Sequence, residues 1–159
     1  LIPFLKNYFP NSKFVHLIRE PLHCIKSMYA RGWYQEEEYP KITRHDHAKY
    51  RLQGDKVDAL SSNKWKSYDS LQKCVWYYDY INKEISKQLK DIDKEDVLQI
   101  ELNNLENKFK DLSTFISNEE FDFEILKTNS VRNTDIEIYE SIEDENLKEK
   151  IQKTLDELH

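Results

Sequence analysis

Glycine occurs only twice in the 159 residues, at Gly32 and Gly54. The chain therefore has no glycine-rich loop of the kind that cradles phosphates with backbone N–H groups. Cysteine is equally scarce. Cys24 and Cys74 have neither the spacing of a metal site nor the density of a disulfide scaffold, so no metal is expected. Both stand among apolar residues and read as small hydrophobes. No apolar run approaches the ~20 residues needed to cross a bilayer, and no secretory signal is visible. The compartment this implies is cytoplasmic, with an upstream signal or anchor left open. There is also no basic excess: 24 Lys and Arg against 30 Asp and Glu give a net charge of -6. That argues against nucleic acid as a partner, which needs a basic face, but leaves room for a small anion held by one or two local cations.

What the chain does have is aromatic side chains. Ten Tyr, seven Phe and three Trp bring aromatics to 13%, enough to build a core despite 34% charged residues and a mean hydropathy of -0.85. General disorder is excluded on the same ground. The length suits one domain. The chain begins "LIPFLKNYFP", without methionine and already in helical rhythm. It reads as the C-terminal portion of a longer single domain.

Leu1 to Phe9 reads as the end of a helix, closed by a turn at Pro10-Asn11-Ser12. Lys13 to Ile18 reads as a strand, apolar on both faces and so suited to a buried parallel position, with His16 as a hydrogen-bonded core histidine. Pro21 fits the first turn of a helix and Gly32 its C-terminal cap. The period is lost from Trp33 to about Lys66, which predicts a long mobile segment. Leu71, Val75, Tyr78, Ile81, Ile85 and Leu89 then mark the core stripe of a helix over about Ser67 to Lys90. "DVLQIEL", Asp96 to Leu102, reads as a second strand. Leu105, Phe109, Leu112 and Phe115 or Ile116 mark another helix, and Leu147, Ile151, Leu155 and Leu158 a terminal amphipathic one. Phe121 to Asn133 fits no class. Alternating strands and helices predict an α/β fold with a parallel sheet flanked by helices, helix-rich and partial, because two strands do not make an independent sheet.

The residue with most to say is Arg19. In parallel α/β proteins ligands bind beyond the carboxyl ends of strands, near helix N-termini. Arg19 follows the first strand there, and a guanidinium can hold a phosphate in a bidentate fork. Ser27 lies eight residues further on. An irregular stretch over Glu20 to His23 would let both side chains reach one phosphate.

At this point the sequence resembles a family. "FVHLIREPLHCIKS" is similar to the 3′-phosphate-binding segment of sulfotransferases that use 3′-phosphoadenosine 5′-phosphosulfate: an apolar strand, an Arg-(Asp/Asn)-Pro turn and a serine eight residues after the arginine. "FLKNYFPNSKF" resembles the helix and lead-in before that strand. "WKSYDSLQKCVWYYDYINKEI", Trp65 to Ile85, resembles the family's long helix, and "VLQIELNNL", Val97 to Leu105, a later strand and turn. The likeness covers residues 1–116 in the family's order, leaving 117–159 as a C-terminal extension. Glu20 and His23 depart from the commoner Asp or Asn and Asp.

The resemblance implies a partial P-loop-like fold in which Arg19 and Ser27 hold the 3′-phosphate of the nucleotide donor. It further implies transfer of the sulfuryl group to a hydroxyl or amine on a glycan, lipid, tyrosine or small molecule. The phosphosulfate-binding loop and catalytic base would lie upstream of Leu1, so the chain alone would be inactive. Lys127 and Arg132 are the candidates for a second clamp on the 3′-phosphate. Two other readings stay open: another P-loop-type nucleotide enzyme such as a small kinase, or a non-enzymatic helix-rich interaction module in which Arg19 pairs with Glu20 or Glu101. His45-Asp46-His47 and Glu36 to Glu38 read as solvated loop. Trp33, Tyr34, Trp76, Tyr77, Tyr78 and Tyr80 read mainly as core, with Trp33 and Tyr34 also suited to stacking on adenine or lining an acceptor site.

Overall fold

Apolar spacing in the sequence becomes six α-helices and one parallel strand pair among the described residues. A computed structural model describes residues 1–35, 51–117, 119 and 145–158. The acidic run from Glu36, the His45-Asp46-His47 segment, Phe121 to Asn133, and with them Lys127 and Arg132, lie outside these residues. The chain divides into two compact units: Leu1–Glu20 with Ile81–Ser130, and Pro21–Tyr80 with Val131–His159.

In the first unit, helix α1 (Ile2–Tyr8) opens with a proline in its first turn, where the missing N–H costs nothing. The Phe9 N–H bonds back to the Leu5 carbonyl at 2.8 Å, and the Ser12 N–H to the Phe9 carbonyl at 2.9 Å, making the expected turn. The backbone nitrogens of Leu1 and Ile2 both donate to Gln88 Oε1, at 3.0 and 3.1 Å. Lys6 Nζ donates to Asp96 Oδ2 at 2.5 Å and to the Ser12 carbonyl at 3.1 Å, which fixes α1 to the lead-in of the second strand.

Strands β1 (Phe14–Ile18) and β2 (Val97–Glu101) pair in parallel, Phe14 opposite Val97 through to Ile18 opposite Glu101. Because side chains alternate, Phe14, His16 and Ile18 share a face with Val97, Gln99 and Glu101. Val15 and Leu17 share the other face with Leu98 and Ile100. Burial crosses over between the strands: His16 and Ile100 are buried, Gln99 and Leu17 are exposed. The expectation that β1 is buried on both faces fails, since Val15 and Leu17 are 41% and 46% exposed. A pair of strands offers each member one neighbour, and nothing described covers that side of β1. The expected hydrogen bond of His16 fails too. Both ring nitrogens are buried and neither has a partner among the described residues. Helix α5 (Phe109–Ser117) is tied to the start of β1 by Lys13, whose Nζ donates to the Phe115 carbonyl at 2.7 Å.

In the second unit, α2 (Pro21–Ala30) ends as its glycine predicts. The Gly32 N–H bonds to the Tyr29 carbonyl and the Trp33 N–H to the Met28 carbonyl, with Gly32 at φ 74°. This double closure requires a left-handed residue just past the helix, where glycine carries no Cβ penalty. Helices α3 (Ser62–Ser67), α4 (Ser70–Leu89) and α6 (Glu145–Leu158) follow. Ile25 and Met28 of α2, Leu71, Cys74 and Val75 of α4, and Ile151 of α6 form one buried cluster, with Leu147, Leu155 and Leu158 packed against it. The boundary between the units falls within α4.

The aperiodic stretch from Trp33 needs correction where it is described. Residues 51–66 are not loose: Trp65 of α3 is buried, edge-on to Tyr34 at 5.5 Å and to Trp76 at 5.0 Å, and Trp76 stacks on Tyr80 at 4.9 Å. A Cβ on Gly54 would lie 2.9 Å from Leu60 Cδ1 and 3.0 Å from Trp65 Cε3, so only glycine lets this backbone approach the indole.

Candidate functional site

Arg19 follows the last residue of β1 directly, as its sequence context predicts, and its side chain is exposed. Ile18 is the register partner of Glu101, so both parallel strands end at the same level and Arg19 stands just beyond that carboxyl edge. Ser27 is half-buried on α2, between the buried Lys26 and Met28. Helix α2 runs without a break from Pro21, so the irregular Glu20 to His23 stretch is not found. Proline at the first helical position suits its fixed φ and leaves no donor unmet. Ser27 therefore stands roughly 9 Å along a regular helix, at ~1.5 Å per residue. Arg19 belongs to the first unit and Ser27 to the second, so their convergence on one phosphate rests on the sequence pattern.

Trp33 and Tyr34 prove to be packing residues with polar company. The Arg51 guanidinium lies 4.0 Å over the Trp33 ring, a stacked cation–π contact. Trp33 meets Tyr77 edge-on at 5.4 Å. Tyr34, held at φ 63°, donates its hydroxyl to the Leu52 carbonyl at 2.6 Å. Burial raises the Tyr34 hydroxyl above the ordinary phenol value, with neighbouring Cys74 and Tyr77 adding to the shift and Arg51 opposing it. Burial likewise pushes the Cys74 thiol up to about 12, which keeps it protonated and unreactive as a nucleophile. Burial also lowers Arg51, the sense expected for a desolvated cation. Sequence reasoning did not single out Arg51. It stands in an aperiodic stretch, and no local signal announces stacking on a ring 18 residues earlier.

Among the described residues no group of three or more His, Cys, Asp or Glu could hold a metal ion, and no helix is long and apolar enough to cross a membrane. Neither Cys24 nor Cys74 is in a disulfide among the described residues. Comparison with protein-family models, with curated proteins and with solved structures finds no match for this chain.

Proposed function

We propose that this chain carries the 3′-phosphate side of the donor site of a sulfotransferase that uses 3′-phosphoadenosine 5′-phosphosulfate, on a P-loop-like α/β fold. One observation carries the reading: a cationic fork stands at the carboxyl end of a parallel strand, and a proline-started helix bearing Ser27 follows at once. Three further segments with the family's pattern stand in its order along residues 1–116.

In this reading Arg19 meets the 3′-phosphate as a charge-assisted pair and Ser27 adds a neutral hydrogen bond to the same group. Neither makes or breaks a bond. Their binding energy orients the donor while an acceptor hydroxyl or amine attacks sulfur in line, a base takes its proton and the bisphosphate leaves. This reading assigns neither the base nor a phosphosulfate-binding loop to any of the 159 residues.

The test is calorimetric titration of the full-length protein with adenosine 3′,5′-bisphosphate. Saturable binding that weakens in Arg19→Ala supports the reading. Silence with the bisphosphate but binding of ATP would favour another P-loop-type enzyme. Silence with both would favour the non-enzymatic interaction module.

A further inference from the structure

The last helix, α6, lies in the C-terminal extension outside the family-like stretch. Its apolar side joins a buried cluster with α2 and α4. Ile151 is 1% exposed and shares a buried cluster with Ile25 and Met28 of α2, which are 0% and 7% exposed. Leu147, Leu155 and Leu158 pack on the same cluster, which gives α6 a continuous seam at three- and four-residue steps. The contact also has a polar end. Lys26 of α2 is buried, at 5% exposed. The Glu145 carboxyl at the start of α6 is held below the usual range chiefly by its hydrogen bond from Lys148, and Lys26 lies near enough to contribute as well. The residues on either side of Ser27 are therefore the ones whose seating α6 helps to fix.

We propose that α6 is a positioning element for α2, and that Ile151 is the positioning residue that sets where α2 presents Ser27. The inference rests on the donor-site reading for its functional consequence, though not for its structural one. Protein interiors are close-packed and do not relax freely around a missing side chain. Removing three carbons from Ile151 leaves a cavity beneath Ile25 and Met28, and α2 gains freedom at the turn that carries Ser27. Donor affinity then falls although nothing at the phosphate has changed.

The experiment uses the full-length protein in four forms: wild type, Ile151→Ala, Ile151→Val and Trp65→Leu. Trp65 is buried in the same unit but stands outside the cluster around α2, so its variant loses stability without touching the seam. Amide hydrogen exchange over Pro21–Ala30 and the dissociation constant for adenosine 3′,5′-bisphosphate are read side by side. Ile151→Ala should speed exchange in α2 by about tenfold and weaken bisphosphate binding by about fivefold, as expected when local opening becomes easier. Ile151→Val should bring both readings back close to wild type, and Trp65→Leu should move neither. Unchanged α2 exchange in Ile151→Ala, or an equal rise in Trp65→Leu, overturns the proposal. If Ile151→Ala does not fold, Leu155→Ala makes the same comparison at the edge of the cluster. If wild type does not bind the bisphosphate, the donor-site reading fails by itself. The exchange data then still decide whether α6 holds α2.

Discussion

His16 and Gln99 face each other across the parallel register, one buried and the other exposed, and one row further on Leu17 is exposed while Ile100 is buried. Each strand is thus covered on one face, and the two are covered on opposite faces. The arrangement has left a polar ring inside. Among the described residues neither nitrogen of His16 has a partner, and an unpaired buried polar group costs roughly 1–3 kcal/mol. Replacing His16 with leucine, of similar volume and no polar atoms, should raise stability by about 1 kcal/mol in thermal or urea unfolding. A fall in stability would mean that the imidazole has a partner or a task in the working protein.

Lys6 and Asp96 make a charged contact that fixes α1 to the lead-in of β2, and both side chains are mostly buried, at 20% and 23% exposed. Their coupling should exceed that of a fully exposed pair. A double-mutant cycle with Lys6→Met and Asp96→Asn should give about 1 kcal/mol at low salt, shrinking as ionic strength rises. A coupling near zero at low salt would show that the pair adds nothing to the hold Lys6 already has on the Ser12 carbonyl ahead of β1.

Gly54 is the second glycine, and its reason is steric. An alanine there would press on Leu60 and on the Trp65 ring. Leu60 has a flexible end and can give way, but Trp65 is wedged between Tyr34 and Trp76. Gly54→Ala should therefore cost about 1–2 kcal/mol, in the range of overpacked sites, and should shift tryptophan emission. Unaltered emission with unaltered stability would mean that the segment moves aside freely.

The elements legible in the sequence are those set by local chemistry. Leu71, Val75 and Leu89 repeat at helical steps and are buried, Gly32 ends α2 because only a left-handed residue can close it, and the leucine spacing of α6 survives intact. Arg19 was legible as a strand-end residue because the β-prone run stops one residue before it. What the sequence could not show depends on neighbours distant along the chain. Val15 and Leu17 look like core in composition but have no covering element among the described residues. Trp65, in a stretch without period, is buried between Tyr34, Trp76 and the Gly54 backbone, and Arg51 acquires its place from Trp33.

Cys74 and Tyr34 make the second unit sensitive to alkali. An unfolded thiol ionises near pH 9, whereas burial holds the folded Cys74 proton until about pH 12. Between those values the folded state binds more protons than the unfolded one. Stability is thus intact below pH 9 and declines as pH rises towards 12. Tyr34, raised by burial, adds in the same direction at higher pH. Circular dichroism against pH should show unfolding setting in within this window, with Cys74→Val moving the onset upward. Thiol titration at pH 8 should label the half-buried Cys24 well before Cys74, and equal rates would contradict the burial argument.

Charge and geometry at the strand end are separable through the nucleotide. If Arg19 grips the 3′-phosphate with a two-pronged fork, Arg19→Ala should weaken adenosine 3′,5′-bisphosphate binding by about 2–3 kcal/mol, the scale of a charged hydrogen bond. Arg19→Lys keeps the charge and loses the fork, so it should recover only part of that affinity. Ser27→Ala should cost about 1 kcal/mol, the scale of one neutral bond. Adenosine 5′-monophosphate, which lacks the 3′-phosphate, should bind wild type and Arg19→Ala alike. That last comparison is the sharpest of the set. If Arg19→Ala weakened both nucleotides equally, the guanidinium would be acting on something other than the 3′-phosphate, and the assignment would fail even though binding had been lost.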